Sequence, residues 1–104
     1  MTSVIFVPAA EEQIRAIDEW WRANRAAAPG LFVEELAAAV ALMKSSPGIG
    51  RRRRHRKIPG LRRLLLRATR YHVYYAPDDS GSRLYVLAVW SAVRGGGPRL
   101  SFLG

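Results

Sequence analysis

Three apolar segments decide the fold, namely residues 61–70 (LRRLLLRATR), residues 71–76 (YHVYYA) and residues 83–92 (RLYVLAVWSA). They are rich in Leu, Val, Tyr and Trp, which are residue types that favour β-strands. The polar run between the last two, residues 77–82 (PDDSGS), has the composition of a hairpin loop. The sequence therefore predicts three consecutive antiparallel strands in the second half of the chain.

The last of these strands is apolar on both faces, given that side chains alternate across a strand. The predicted faces are Leu84, Val86, Ala88 and Trp90 on one side, and Tyr85, Leu87 and Val89 on the other. Such a strand is expected to be covered on both faces. Helices can cover only one of them here, so we expect the second cover to come from elsewhere, for example from another chain.

The first half of the chain predicts one strand and two helices. Val4–Val7 reads as a short strand, and Pro8, which suits a first helical turn, begins a helix that runs to Asn24. After a Pro-Gly break, a second apolar repeat predicts a helix over Leu31–Lys44. The predicted fold class is α+β, with an N-terminal strand and an antiparallel helical hairpin on one face of a curled, mainly antiparallel sheet (β-α-α-β-β-β). A single domain is expected over residues 1–104.

The composition is that of a small intracellular protein. The chain has 104 residues and no cysteine, which excludes disulfides and thiolate zinc sites and fits a reducing cytoplasm. Its start lacks the basic and apolar regions of a signal peptide, and no apolar run approaches the roughly 20 residues that span a bilayer. We therefore expect a cytoplasmic protein with no membrane partner.

The charge is strongly positive and unevenly distributed. Seventeen Lys and Arg against eight Asp and Glu give a net charge of +9. No acid lies between Leu36 and Pro77, whereas ten cations lie between Arg51 and Arg70. Such a block speeds encounter with anionic partners, which indicates a large acidic or macromolecular partner and not a small metabolite.

Residues 51–57 (RRRRHRK) form the densest part of this block and are predicted to be a basic loop. Its arginines are Arg51, Arg52, Arg53 and Arg54. They can hold nucleic-acid phosphates or meet an acidic protein. The alternative is a solvated loop whose charges only aid solubility.

The strand predicted over residues 61–70 carries a cationic row. Arg63, Leu65 and Arg67 alternate and share one face, while Leu64 and Leu66 suit the helix-packed core on the other. Arg63 and Arg67 should therefore project from the outer face of the sheet. A plain solvent-facing row of arginines is the alternative.

The sequence has few groups that can move a proton near neutral pH. His55 lies in the basic loop and His72 on a predicted strand, where a hydrogen-bonding role is the alternative to acid–base chemistry. No Walker loop, dinucleotide-binding glycine motif, zinc-protease motif or His–carboxylate cluster is present, so we expect no cofactor and no metal. These absences weaken every small-molecule enzyme hypothesis.

Several stretches together resemble the ParE/RelE superfamily of bacterial toxins over nearly the whole chain. The first is IDEWWRANR at residues 17–25, followed by Ala28-Pro29 and the helix from Leu31. PGLRRLLL at residues 59–66 and YHVYY at residues 71–75 come next, and VLAVWSAVR at residues 86–94 ends the series. The resemblance implies a type II toxin held inactive by a cognate, acidic, ParD-like antitoxin in a hetero-oligomer. In this family the antitoxin tail wraps the helices and sheet of the toxin, which would supply the missing cover.

The superfamily has two branches with different targets. RelE-like members cut mRNA on the ribosome with basic residues on the central strands, an arginine that ends the last strand, and often a C-terminal Tyr or His. ParE-like members lack most of that set and inhibit DNA gyrase. Here Arg63, Arg67 and Arg94 keep basic character, Leu65 replaces the usual lysine, and His72 replaces an arginine. No Tyr or His follows Arg94.

RNA cleavage needs a base, an acid and cations for the developing charge, and only His72 could move a proton here. The resemblance therefore favours a ParE-like gyrase inhibitor without a catalytic site of its own. The alternative is a RelE-like endoribonuclease using Arg63, Arg67, His72 and Arg94, and a third hypothesis is a basic binding module without toxicity. Candidate contacts for the target or antitoxin are Arg51, Arg52, Arg53, Arg54, Arg63, Arg67, Arg94 and the C-terminal segment 100–103 with Leu100 and Phe102.

Overall fold

The computed structural model describes residues 2–102 and contains two helices and five strands. In chain order they are β1 (Ser3–Phe6), α1 (Pro8–Asn24), α2 (Leu31–Ser45), β2 (Arg51–Arg52), β3 (Arg62–Leu66), β4 (Tyr71–Pro77) and β5 (Arg83–Ser91). The sheet order is β1-β5-β4-β3-β2; β1 runs parallel to β5 and all other pairs are antiparallel. The predicted α+β fold is confirmed, with one additional short strand. Neither helix is long and apolar enough to cross a bilayer.

The two helices bury their predicted apolar stripes. Proline at the first position and Glu11 in the first turn favour the start of α1, which buries Ala10 and Trp21. On α2 the buried residues are Phe32, Leu36, Ala39 and Met43, spaced as one helical face. They belong to one core cluster with Val73 and Tyr75 of β4, which are fully buried, so the hairpin covers one face of the sheet, here called the inner face.

A buried tyrosine fixes the connection between α2 and β2. The Tyr75 hydroxyl donates to the Pro47 carbonyl (2.9 Å) and accepts from the Gly50 N–H (2.8 Å), and burial raises its pKa. Arg62 donates to the Gly50 carbonyl at 2.8 Å. A Cβ on Gly50 would lie 2.7 Å from the Tyr75 hydroxyl oxygen, so this close approach requires glycine. The loop is therefore pinned to the inner face.

The prediction that residues 51–57 are entirely loop was wrong at its start. Arg51 and Arg52 form β2, which pairs with Arg63 and Arg62 of β3, and the Arg53 N–H continues the ladder to the Leu61 carbonyl (2.9 Å). The hydrogen bonds to Gly50 position the chain at this edge of the sheet. No apolar pattern in the sequence predicts β2.

The strand predicted over residues 61–70 was too long. It ends at Leu66, and Arg67 to Arg70 form a turn held by Glu35 of α2. The Glu35 carboxylate accepts the Ala68 N–H (2.7 Å), the Thr69 N–H (2.9 Å) and the Thr69 hydroxyl (2.6 Å). Burial acts to raise the pKa of Glu35, but these three hydrogen bonds outweigh it, so the pKa lies below its ordinary value.

The predicted alternation along β5 was wrong beyond Val86 because the strand contains a β-bulge. Tyr75 of β4 pairs with Val86 and Tyr74 pairs with Ala88, which leaves Leu87 without a partner. This extra residue moves each side chain that follows it in β5 to the opposite face from the one predicted. Ala88 and Trp90 therefore share the face of Tyr85, and Val89 joins the inner face.

Part of the opposite, outer face is covered by the chain itself. Phe102 packs edge-on against Tyr85, with ring centroids 5.5 Å apart, and Leu100 packs against the core. The second cover expected from another chain is thus supplied in part by the C-terminal segment. Leu103, the last residue of the predicted contact segment, lies outside the described residues.

Glu35→Gln is expected to lower the free energy of unfolding by about 2 kcal/mol at pH 7, because an amide offers one acceptor oxygen where three donors converge. The lowered pKa means that this stabilisation is present above the ordinary value of 4.5 and is lost as pH falls through the folded-state pKa. The difference between variant and parent should therefore shrink below about pH 4. Urea denaturation across this range measures it.

Glu34→Gln is the matched control, since it removes the same charge from the neighbouring exposed position of α2. Its expected effect is within about 0.5 kcal/mol. Equal losses in the two variants would show that Glu35 acts only through its charge and not through the turn.

Candidate functional site

The outer face is defined by direct cross-strand partners, which share a side of the sheet. One row joins Arg51, Arg63, Tyr74 and Ala88 across β2 to β5. The next row joins Leu65, His72 and Trp90 across β3 to β5. The sequence predicted Arg63 and Leu65 on this face correctly, whereas Trp90 was placed with Leu84 and Val86.

Arginines lie over the aromatic rings of this face. The Arg63 guanidinium is 6.0 Å from the centroid of Tyr74, and that of Arg94 is 5.5 Å from the centroid of Trp90. Both are cation–π distances. Arg94 follows the end of β5, and its contact with Trp90 brings it to the same face as Arg63 and His72.

His72 sits half-buried at the centre of the outer face. Burial lowers the pKa of this imidazole, and the charges of Arg63, Arg53 and Arg70 lower it further. Its ring lies edge-on to Tyr74 at 6.2 Å between centroids. The neutral form is therefore favoured, so His72 can accept a hydrogen bond at neutral pH, and the surrounding cations oppose its protonation.

Arg67 is separated from this cluster. Because β3 ends at Leu66, Arg67 is the first residue of the Glu35-held turn and not part of the strand face. Arg70, at the end of the same turn, is the residue whose charge acts on His72. It adopts a left-handed backbone conformation (φ 67°), and nothing in the sequence singled it out.

The remaining basic residues of the predicted site lie at the β2 edge. Arg52 pairs with Arg62 and so faces away from the outer face. Arg52, Arg53 and Arg54 line a hollow of about 520 Å³ beside residues 58–60. The structure therefore joins Arg51, Arg53, Arg63, His72 and Arg94, and it leaves Arg67 and the C-terminal segment apart.

A groove of about 650 Å³ lies between the C-terminal half of α1 and the ends of β4 and β5. Its aromatic lining is Trp20, Trp21, Tyr71 and Trp90, and its cations are Arg25, Arg70 and Arg94. Sequence reasoning missed it, because only the fold brings α1 beside the end of β5. The aromatic pair Trp20-Trp21 was the one available signal.

The groove is organised by contacts among its own side chains. Arg25 lies over the rings of Trp20 (4.9 Å) and Trp21 (5.6 Å), and the Trp21 indole N–H donates to the Tyr71 hydroxyl at 3.2 Å. Trp20 is nevertheless 45% exposed. The buried indole nitrogen of Trp90 has no hydrogen-bond partner within residues 2–102.

The edge of β5 beside this groove is partly open. β1 ends at Phe6, opposite Val86, so the later residues of β5 have no strand on that side. The Gln13 side-chain oxygen of α1 accepts the Val89 N–H at 2.8 Å and satisfies one edge donor. In the described part of the chain, no three His, Asp or Glu side chains come together as metal ligands.

The chain matches the family model described as the ParE toxin of the type II toxin–antitoxin system, parDE, over residues 4–95. The structure of the chromosomal ParDE TA system from P. aeruginosa is similar, with a TM-score of 0.66 and 17% identity over 88% of this chain and 96% of that chain. The isolated E. coli RelE toxin gives a TM-score of 0.58 and 21% identity over 91% of this chain and 88% of its own.

A double arginine-to-alanine mutant of E. coli RelE in the free state gives a TM-score of 0.54 and 23% identity over 88% of this chain and 84% of that chain. At these identities the structural likeness shows the fold. Comparison with curated proteins finds no match.

His72→Gln is expected to flatten the loss of stability between pH 7.5 and pH 5.5. The folded-state pKa of His72 lies below its ordinary value of 6.5, so the unfolded chain binds more protons in this window and the parent loses stability as pH falls through it. Urea denaturation at several pH values measures the slope. The same substitution at His55 shows how much of any change comes from losing a histidine as such. A steeper slope in His72→Gln would contradict the cationic surroundings described here.

Proposed function

Because the chain belongs to the ParE toxin family of type II toxin–antitoxin systems, we propose that it inhibits DNA gyrase and is neutralised by a cognate antitoxin. The proposal takes the ParE-like branch and not the RelE-like branch. Its support comes from the family match together with the chemistry of the outer face.

The observation that carries the proposal is that the charged groups acting on His72 are all arginines. Strand scission by 2′-hydroxyl attack needs one group to accept a proton and another to donate one. Burial lowers the pKa of His72, the charges of Arg63, Arg53 and Arg70 lower it further, and an arginine gives up no proton near neutral pH. These features support a toxin that acts by binding its target.

The aromatic groove supports an antitoxin-binding role. Its walls are apolar, its cations Arg25, Arg70 and Arg94 have no carboxylate within ion-pair distance in residues 2–102, and an indole N–H lacks an acceptor. An acidic, amphipathic segment that folds on contact fits these features. We propose that the antitoxin places such a segment here, with Arg51 to Arg54 attracting it over longer range.

Purified protein is expected to block gyrase supercoiling and to trap cleaved DNA. Arg94→Gln and Phe102→Ala should each raise the concentration needed by about tenfold, as expected for the loss of one good contact. Arg15→Gln, which removes a charge from the distant surface of α1, is the matched control and should leave inhibition unchanged.

Failure to inhibit supercoiling and to trap cleavage at micromolar protein would contradict gyrase as the target. One alternative, taken from the family resemblance, is ribosome-dependent mRNA cleavage by Arg63, His72 and Arg94, without Arg67, which lies apart from them in the turn after β3. Codon-phased cuts in translated messages would establish that alternative. Normal growth on induced expression without antitoxin would instead favour a non-toxic binding module.

Charge reversal of Arg51 to Arg54 is expected to slow association with the antitoxin several-fold and to weaken its salt dependence, because steering acts on the encounter rate. Stopped-flow association measures both. Trp20→Ala is the complementary variant, since removing an aromatic contact should mainly speed dissociation. An unchanged association rate after charge reversal would show that this segment plays no part in pairing.

A further inference from the structure

The arginines around the outer face form an unneutralised cluster. Its members are Arg51, Arg53, Arg63, Arg70 and Arg94, here called the cationic face. Within residues 2–102 the only arginines in ion pairs are Arg15, Arg22 and Arg83, which lie on α1 and beside the β4–β5 hairpin. Among the residues that the structure describes, no carboxylate therefore lies within ion-pair distance of the cationic face.

The fold holds these charges together against their mutual repulsion. Arg51 and Arg63 are direct cross-strand partners, an arrangement that is destabilising for like charges. The Tyr75 and Arg62 hydrogen bonds to Gly50, on the inner side, fix β2 in this register. Arg51 and Arg63 are thus preorganised on the sheet, and the other three arginines lie in the segments that directly adjoin its strands. A polyanion would relieve the repulsion among them.

The form of the cationic face favours phosphates over bases. Arg63 and Arg94 lie over the rings of Tyr74 and Trp90, so these rings are not free to stack with an unpaired base. Leu65, which is 37% exposed, is the most exposed large apolar residue of the two rows. A protein partner would need a larger apolar centre, which the adjoining aromatic groove offers and the cationic face does not.

The dimensions also match a duplex. Strands β2 and β5 are three strand spacings apart, roughly 14 Å, and the major groove of duplex DNA is about 12 Å wide. Arg51 on β2 and Arg94, just after β5, therefore lie at opposite sides of a span comparable with a groove.

We propose that the cationic face binds the phosphate backbone of duplex DNA without reading its sequence. This binding is a property of the toxin alone and does not rest on gyrase inhibition. It would add to any contact with an enzyme that is itself bound to DNA. His72, in its neutral form, lies at the centre of the face and is available to donate or accept a hydrogen bond.

The test is fluorescence anisotropy of a labelled 20-base-pair duplex titrated with the full chain between 50 and 200 mM salt. With four to five phosphates neutralised, the slope of log K against log salt should be about −4, which corresponds to a loss of about 10²-fold in affinity over this range. A second duplex of unrelated sequence should compete equally.

Two triple variants separate the cationic face from net charge. Arg53→Gln, Arg63→Gln and Arg94→Gln remove three charges from the face, whereas Arg15→Gln, Arg22→Gln and Arg83→Gln remove the three ion-paired arginines. Each takes the net charge from +9 to +6, since three cations are lost. The face variant should lose more than about tenfold in affinity at 50 mM salt and about 3 units of slope, and the control less than about threefold.

Thermal unfolding checks that both variants fold, and removing Arg63 from beside Arg51 should not lower the melting temperature. Equal losses in the two variants, or no duplex binding at 50 mM salt, would overturn the proposal. So would single-stranded RNA of the same length, or a polyglutamate peptide, binding tenfold more tightly than the duplex. Gyrase inhibition is measured separately, so its failure leaves this result interpretable.

Discussion

Burial of one apolar face of the sheet under the helical hairpin is the constraint on which the rest of the structure depends. Phe32 and Met43 of α2 belong to the same core cluster as Val73 and Tyr75 of β4, and all four are fully buried. At roughly 2 kcal/mol for each such side chain, this layer outweighs any single polar contact in the molecule. Because one hairpin covers only one face, the opposite face is left to Arg51, Arg63 and His72. The inner side adds Glu35 and Tyr75, whose hydrogen bonds fix the turn and the loop that border the outer face.

Much of the scaffold was predictable, because its signals are local. The bounds of α1 follow from Pro8 and the apolar repeat, and the break before α2 follows from Pro29 and Gly30. The bulge at Leu87 was not predictable, since Val86 to Val89 are all apolar and a shift of one residue leaves the pattern unchanged. Yet that bulge decides that Trp90 lies beside His72 on the outer face and not on the inner face. The pairing register of β4 with β5 thus determined which face each residue after Leu87 lies on, and the local apolar pattern did not.

In the candidate site, too, residues with a local sequence signal were predicted and residues positioned by long-range contacts were not. Arg63 was predicted on the outer face because it alternates with buried leucines, and Arg94 was predicted from the family resemblance alone. Arg67 was misplaced because a carboxylate more than thirty residues away ends β3 at Leu66 and builds a turn there. Residues whose position depends on tertiary hydrogen bonds, such as Arg70, carry no signal in a single sequence. The aromatic groove was missed for the same reason, since it exists only where α1 crosses the end of β5.

The arginines of the outer face favour the binding of an anion but disfavour proton donation by His72. Their charges lower the pKa of His72 after burial has already lowered it, so the free protein holds this imidazole neutral. A general acid at this position would need the opposite, a pKa raised toward neutral pH by an anion. An anion bound among Arg53, Arg63 and Arg70 would screen these charges and move the pKa of His72 upward again. Protonation of His72 would then raise the affinity for the anion, because anion binding and proton uptake at one site are linked. The imidazole is therefore better placed to respond to an occupied cationic face than to break a bond there.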